Sequence, residues 1–127
     1  MRTIESGSQS NIQEASREVF RSQKEWDDWW QRHNTTVEFI DGEEIKPAAP
    51  AVDFASEMVI VATLGMRSSG GYSIEFAGIR HEEDTLIASY KTTSPGPDDR
   101  VTMALTAPYT IIAVPKHDGP VRFVEAK

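Results

Sequence analysis

The stretch MVIVATL, residues 58–64, is the part of the sequence that decides the fold. It contains the longest apolar run of the chain, residues 58–62. This run is far shorter than the roughly 18 apolar residues that a membrane-spanning helix needs. A short continuous apolar run is typical of a buried strand. The stretch therefore predicts the central strand of a sheet.

Strand patterns separated by turn residues follow this run on its C-terminal side. In residues 72–77, Tyr72, Ile74 and Phe76 alternate with smaller or polar residues, as in a strand with one buried face. Further strands are predicted at residues 85–91, 101–105, 109–114 and 121–124. Residues 81–84 are predicted to form a turn, and residues 94–99 a rigid loop. Turn signals about every 10–12 residues are typical of a sandwich or barrel.

The N-terminal side predicts two short strands, at residues 2–5 and 14–21, and then one helix. Ser22 and Glu25 have the spacing of a capping box at the start of a helix. The next residues place four side chains on one helical face at i, i+3, i+4 and i+7: Trp26, Trp29, Trp30 and His33. Trp26 and Trp30 are predicted to be core residues, whereas Trp29 is left open between core and surface.

Turn and linker signals follow the predicted helix on its C-terminal side. The helix is expected to end near Asn34, in a left-handed turn that an asparagine tolerates. Asp41-Gly42 within residues 37–45 is consistent with a small hairpin. Pro47 and Pro50 then predict an extended linker.

The fold class expected is α+β and mostly antiparallel β, a sandwich or partly open barrel with one amphipathic helix packed on the sheet. Residues 1–127 are interpreted as a single domain.

Composition excludes several classes of function. With 13 Lys and Arg against 20 Asp and Glu, the net charge is −7, which argues against nucleic acid as a partner. No cysteine is present, so disulfides, cysteine-based zinc sites and thiol catalysis are excluded. No apolar signal-peptide segment follows Met1. The localisation is therefore left open between cytoplasmic and exported with the signal removed, and no membrane span is expected.

Candidate catalytic and metal sites are weakly supported by the sequence. Ser69 beside Gly70-Gly71 is a conceivable nucleophile, but the Gly-x-Ser-x-Gly elbow is missing. Residues 81–84 combine His, Glu and Asp, although neighbours on a tight turn rarely all face one ion. We therefore expect no catalytic residue, no metal and no cofactor. Pro108 is interpreted as a structural corner, with a bulge or a cis-proline turn as the alternatives.

The most informative local string is RSSGGY, residues 67–72. Two glycines entering a strand allow positive φ or a close approach by another group. One interpretation is a β-turn or bulge between strands. The other is a rigid loop that presents side chains to a partner or ligand. The candidate binding residues are Arg67, Ser69, Gly70, Gly71 and Tyr72, with Pro95, Gly96 and Pro97 beside them.

Several strings in this order resemble the C-terminal domain of the protease complex subunit PrcB family. They are Phe20 before Glu25-Trp26 and Trp30, Pro50-x-Val52-Asp53-Phe54, Met58-Val59-Ile60, Leu64-Gly65, Gly70-Gly71-Tyr72-x-Ile74, Pro95-Gly96, Leu105-Thr106-x-Pro108-Tyr109 and Val114-Pro115. The resemblance spans about residues 2–125. Ser69 stands where the family often has threonine, which keeps a hydroxyl. The family offers no catalytic residue to carry over.

The resemblance implies a non-catalytic protein-interaction or scaffold module that stabilises or assembles a protease or a similar partner complex. Open sheet edges also allow homodimerisation. The alternative is a small-molecule or carbohydrate-binding β domain with Trp29 and Tyr72 as stacking platforms. A third class is a weak hydrolase at Ser69, which requires a histidine within hydrogen-bond reach of that serine.

Overall fold

Strands make up most of the described structure. The computed structural model describes residues 1–34, 38–45, 48–96, 100–101 and 103–126. Its elements are β1 Arg2–Gly7, β2 Ala15–Phe20, α1 Gln23–His33, β3 Glu38–Ile40, β4 Glu43–Ile45, β5 Glu57–Leu64, β6 Ser73–Glu82, β7 Thr85–Thr93, β8 Tyr109–Pro115 and β9 Val121–Glu125.

The apolar run of residues 58–64 lies in β5, at an inner position of a four-stranded sheet. The strand order of this central sheet is β1-β8-β5-β2, and all three of its pairings are antiparallel. The two strands nearest the N-terminus are therefore its two edges. The prediction of a central strand is confirmed, because Met58 to Leu64 are all buried.

The face of the central sheet that we call the β-side face packs on a second sheet, of order β6-β7-β9. Alternate residues of β5 and β8 meet apolar residues of β6 and β7 there. This core consists of Met58, Ile60, Ala62, Leu64, Ile74, Phe76, Leu86, Ala88, Ile112 and Val114. The strands β7 and β9 pair in parallel, whereas every other strand pair described is antiparallel.

The opposite face, which we call the helix-side face, is covered by α1. Ser22 caps the helix by accepting a hydrogen bond from the Glu25 backbone N–H, as the capping-box spacing predicts. All three tryptophans are buried against Val59, Val61 and Ile111. The core prediction for Trp26 and Trp30 is therefore confirmed, and it extends to Trp29.

The fold class predicted from the sequence is confirmed as α+β and mostly antiparallel β, with the helix packed on a sheet. Both large sheets are open, so the described strands form layers rather than a closed barrel. Asp41 and Gly42 turn the β3–β4 hairpin with φ values of 53° and 83°, which is the expected hairpin geometry. Pro47, in the predicted linker, and Val37, in the predicted hairpin, lie outside the described residues.

One local prediction is wrong, and the predictions of the turn at residues 81–84 and of the helix end near Asn34 are right only in part. Residues 101 and 103–105 form no strand: their apolar side chains are partly or fully exposed, and Thr106 after them forms only an isolated bridge with Arg67. The predicted turn at residues 81–84 is shorter, because Glu82 still pairs with Thr85. Asn34 ends the helix in an extended conformation with φ −110°, and its backbone N–H donates to the Trp30 carbonyl. The peptide bond before Pro108 is trans.

Candidate functional site

The loop that follows β5 brings the predicted binding residues to one end of the molecule. Gly65 turns the chain with φ +88°. The Arg67 backbone then forms two hydrogen bonds with Thr106, of 2.7 and 2.9 Å. The Arg67 guanidinium donates to the Leu64 carbonyl at 3.3 Å and lies 5.4 Å from the centroid of the Tyr72 ring. The loop is therefore fixed to the sheet, and its cation lies near an aromatic ring.

The glycine pair packs this loop against a second loop. Gly71 has φ +91°, a value that L side chains rarely adopt. A Cβ at this position would lie 2.8 Å from Val101 Cγ1 and 2.9 Å from Pro95 Cβ. The structure thus brings Gly71 and Pro95 into contact, so the two segments that contain the candidate binding residues lie side by side. Gly96 follows Pro95 and is exposed, and Pro97 lies outside the described residues.

Ser69 has structural hydrogen bonds. Its hydroxyl donates to the Gly70 carbonyl at 3.1 Å, and its own carbonyl accepts from the Thr106 hydroxyl at 2.8 Å. The histidines contact other groups: His33 binds Ser10, and His117 binds the Asp84 carbonyl and packs edge-on against His81. In the described part of the chain, the histidine that a Ser69 hydrolase requires is therefore not beside Ser69.

Three exposed apolar side chains at this end were missed by the sequence analysis. Met66, Met103 and Leu105 have exposed fractions of 41%, 86% and 62%. They flank the Arg67–Thr106 bridge along both chain segments. The sequence assigned Met103 and Leu105 to a strand, whereas the Pro- and Asp-rich run just before them was a signal for an exposed loop. We call Met66, Arg67, Tyr72, Met103 and Leu105 together the loop-end surface.

A second group of polar residues lies under the helix. Ser10 Oγ is 2.7 Å from His33 Nδ1, and the Ile12 backbone N–H donates to the same Oγ at 3.0 Å. On the other side of the ring, His33 Nε2 lies 4.0 Å from a Glu5 carboxylate oxygen, which also accepts a hydrogen bond from the Tyr109 hydroxyl. We call Glu5, Ser10, His33 and Tyr109 the buried polar cluster; Ser10, His33 and Tyr109 are buried, and the Glu5 side chain is 40% exposed.

The tautomer of His33 follows from its surroundings. The carboxylate on the Nε2 side favours a proton on Nε2, so the Ser10 hydroxyl donates to Nδ1. Burial lowers the pKa of His33, and the nearby Glu5 carboxylate offsets part of this effect. Burial and the bond to Glu5 raise the pKa of Tyr109. Both groups are therefore neutral in the folded protein near pH 7.

The buried polar cluster is a hydroxyl, an imidazole and a carboxylate held together, but the hydroxyl is enclosed. Ser10 and His33 are only 9% and 5% exposed, and His33 is stacked on Trp29 at 4.6 Å between ring centroids. The Ser10 oxygen is already occupied by the Ile12 amide. This geometry ties the β1–β2 connection to the end of α1, where Asn11 N–H also donates to the His33 carbonyl.

The structure removes one of the two aromatic platforms of the carbohydrate-binding alternative. Trp29 is completely buried and stacks on Trp26 and His33. Tyr72, the other platform, remains half-buried beside Arg67.

The described residues contain neither a group of metal-ligating side chains nor a helix that could span a membrane. Within the described ranges, no three His, Asp or Glu side chains group in a way that could hold a metal ion. The one helix in that part of the chain is also too short and too polar to cross a membrane.

The comparison with known families supports the resemblance found in the sequence. The model of the family described as PrcB C-terminal matches residues 58–115, from β5 through β8. This segment contains the loop-end surface and both inner strands of the central sheet. No curated protein and no solved structure matches the chain.

Proposed function

We propose that this chain, whose residues 58–115 match the PrcB C-terminal family, is a non-catalytic protein-interaction module that docks on a protease or a similar partner complex. The family match supports a protease-associated role. The exposure of Met66, Met103 and Leu105 on the two segments that the Arg67–Thr106 bridge joins is the observation that carries the proposal.

The composition of the loop-end surface suits a protein partner. Methionine, tyrosine and arginine are enriched in protein interfaces relative to the remaining surface. Fully burying an exposed Met or Leu side chain contributes about 1.5–3 kcal/mol, so Met103 and Leu105, which are mostly exposed, supply a useful part of a binding energy. Arg67 and Tyr72 add the two residue types that most often dominate interfaces, besides tryptophan.

The rigidity of the loop supports the same role. Gly71 is packed against Pro95 and Val101, and Arg67 is bonded to Thr106 and Leu64. A surface that is already ordered loses little conformational entropy when a partner binds. The fixed loop therefore favours recognition by a preformed shape.

The test is a pull-down from the native host with the wild-type chain and two variants, followed by mass spectrometry. The double variant Met103→Ser/Leu105→Ser removes two apolar side chains from the loop-end surface. The matched control, Phe39→Ser, removes a side chain that is 72% exposed on the β3–β4 hairpin.

We expect the wild type and the control to recover the same protease or protease-complex subunit. The double variant should recover it at least about tenfold less well, since 1.4 kcal/mol corresponds to a factor of ten. Its melting temperature should stay near that of the wild type, because exposed substitutions usually change stability by less than about 0.5 kcal/mol. Equal recovery by all three proteins, or recovery of no protease component, would contradict the proposal.

A further inference from the structure

The loop-end surface has one charged side chain, Arg67, and most of its hydrogen-bonding capacity is unused. The guanidinium donates to the Leu64 carbonyl at 3.3 Å, and its Nε is buried with no hydrogen-bond partner among the described residues. Its other neighbour is the Tyr72 ring, 5.4 Å away. None of the ion pairs in the described part of the chain includes Arg67. A guanidinium has five N–H donors, so Arg67 has donors to offer a partner.

The sequence around this cation has the opposite charge from the whole chain. Residues 64–74 and 100–115, which include the residues of the loop-end surface, contain Arg67 and Arg100 but neither Asp nor Glu. Arg100 is exposed. The whole chain carries a net charge of −7. The loop-end surface is therefore a locally cationic part of an acidic protein, and it favours a partner surface of negative charge.

Docking at the loop-end surface would also remove water from Arg67. The exposed Met66 precedes it in one segment. In the segment bridged to Arg67 through Thr106, the exposed Leu105 lies next to the bridge. A partner that covers these apolar side chains therefore covers the guanidinium between them. A cation buried without a counter-charge is strongly unfavourable, whereas a carboxylate can accept two parallel hydrogen bonds from a guanidinium.

We propose that the loop-end surface recognises an Asp or Glu side chain that lies between apolar residues of the partner, and that Arg67 binds its carboxylate. The inference rests on the proposed docking and deepens it, because it names the chemistry of the partner surface. Apolar side chains on both sides of Arg67 favour an acid within a segment over a terminal carboxylate, since a segment continues on both sides of its acid.

The probe is a phage-displayed library of random peptides, selected on the wild-type chain and counter-selected on Met103→Ser/Leu105→Ser. The counter-selection retains peptides that need the loop-end surface. We expect the retained peptides to contain Asp or Glu with an apolar residue on each side. A parallel selection on Arg67→Gln should not enrich acidic residues.

The affinity of one retained peptide, measured by fluorescence anisotropy, tests the contact itself. Replacing its acid by the corresponding amide should weaken binding to the wild type at least about tenfold, because the charge pair is shielded from water in the complex. The same replacement should change binding to Arg67→Gln less than about twofold, since the group that it contacts is then already missing.

Two further variants complete this comparison. Arg67→Lys keeps the charge but loses the paired donors, so it should weaken binding of the acidic peptide about threefold to tenfold. This variant serves the same comparison if Arg67→Gln does not fold. Arg122→Gln is the control matched in charge, because it removes an exposed arginine that lines a cleft with Glu82, at the far end of β6 from Tyr72. It should leave the affinity within about twofold of the wild type.

The inference is overturned if the peptides that need Met103 and Leu105 show no enrichment of acids, and in that case the docking proposal still stands. It is also overturned if the acid-to-amide replacement weakens binding equally on the wild type and on the Arg67 variants, because the carboxylate then contacts another group. If no selected peptide distinguishes the wild type from Met103→Ser/Leu105→Ser, the docking proposal itself fails, and this inference fails with it.

Discussion

The two faces of the central sheet are covered by different kinds of side chain. The β-side face meets mostly aliphatic buried side chains, with Phe76 among them, and the aromatic residues Tyr72, Tyr90 and Phe123 pack against this core partly buried. The helix-side face meets three tryptophans, and the buried polar cluster lies at its end. The difference teaches that the β-side core contributes to stability through packing alone. The contribution of the helix-side core also depends on pH, because His33 and Tyr109 lie in it.

The largest effect is expected from removing an aromatic ring on the helix-side face. Trp29→Ala should lower the free energy of unfolding by about 3–5 kcal/mol, because Trp29 is fully buried between Trp26 and His33. Urea denaturation followed by circular dichroism measures this loss.

Ile112→Val on the β-side face is the smaller counterpart and should lower the free energy of unfolding by about 0.5–1.5 kcal/mol. The comparison fails if Trp29→Ala costs no more than Ile112→Val, since the tryptophans would then not dominate the helix-side core.

A loss of stability smaller than that of Trp29→Ala is expected for Tyr109→Phe. The variant loses the hydroxyl that donates to Glu5, a bond to a charged group worth about 1.5–3 kcal/mol, and water reaching the half-exposed Glu5 keeps the loss near the lower value. The raised pKa of Tyr109 means that the wild type should also lose stability as the pH rises above about 10, where the unfolded phenol ionises. Denaturation at pH 7 measures the loss caused by the substitution, and denaturation above pH 10 measures the pH effect. In Tyr109→Phe, the part of the loss above pH 10 that comes from ionisation of Tyr109 should be absent.

The smallest effect is expected from acid acting on His33, because Glu5 offsets part of the cost of charging the ring. The pKa of folded His33 is lowered, so the unfolded chain takes up a proton first. The contribution of neutral His33 to the free energy of unfolding should be fully present above about pH 6.5. It should fall as the pH drops from there toward the pKa of His33 in the folded protein.

Measurements between pH 8 and pH 5 compare the wild type with His33→Gln, which cannot titrate. Ile112→Val serves as the packing control, and its free energy of unfolding should differ from that of the wild type by a constant amount over this pH range. If the free energy of unfolding had the same slope against pH in the wild type and in His33→Gln, His33 would not make the stability of the helix-side face depend on pH.

Much of the fold could be predicted because its signals are local. The apolar run in β5, the capping box at Ser22 and the Asp41-Gly42 turn each specify their structure within a few residues. The strand predicted at residues 101–105 was wrong because alternation indicates a strand only when a neighbouring strand is there to pair. Strand order and the parallel β7–β9 pairing depend on contacts between distant segments and were not predicted.

The candidate site was predicted in part. Pro95 was expected beside the glycine pair, and glycine permits the close approach seen at Gly71; the contact of Gly71 with Val101 was not predicted. The buried polar cluster was missed because Glu5, Ser10, His33 and Tyr109 lie far apart along the chain and share no spacing pattern. The effect of Arg67, Ser69, Gly70, Gly71, Tyr72, Pro95 and Gly96 on binding stays a prediction.

The strand order of the central sheet has a consequence for synthesis of the protein. β5 lies between β2 and β8, and β8 begins only at residue 109. While the ribosome is still making the segment between them, one edge of this very apolar strand has no native partner. Nascent or truncated chains that end before residue 109 should therefore expose an aggregation-prone edge, and completion of the central sheet must await synthesis of β8.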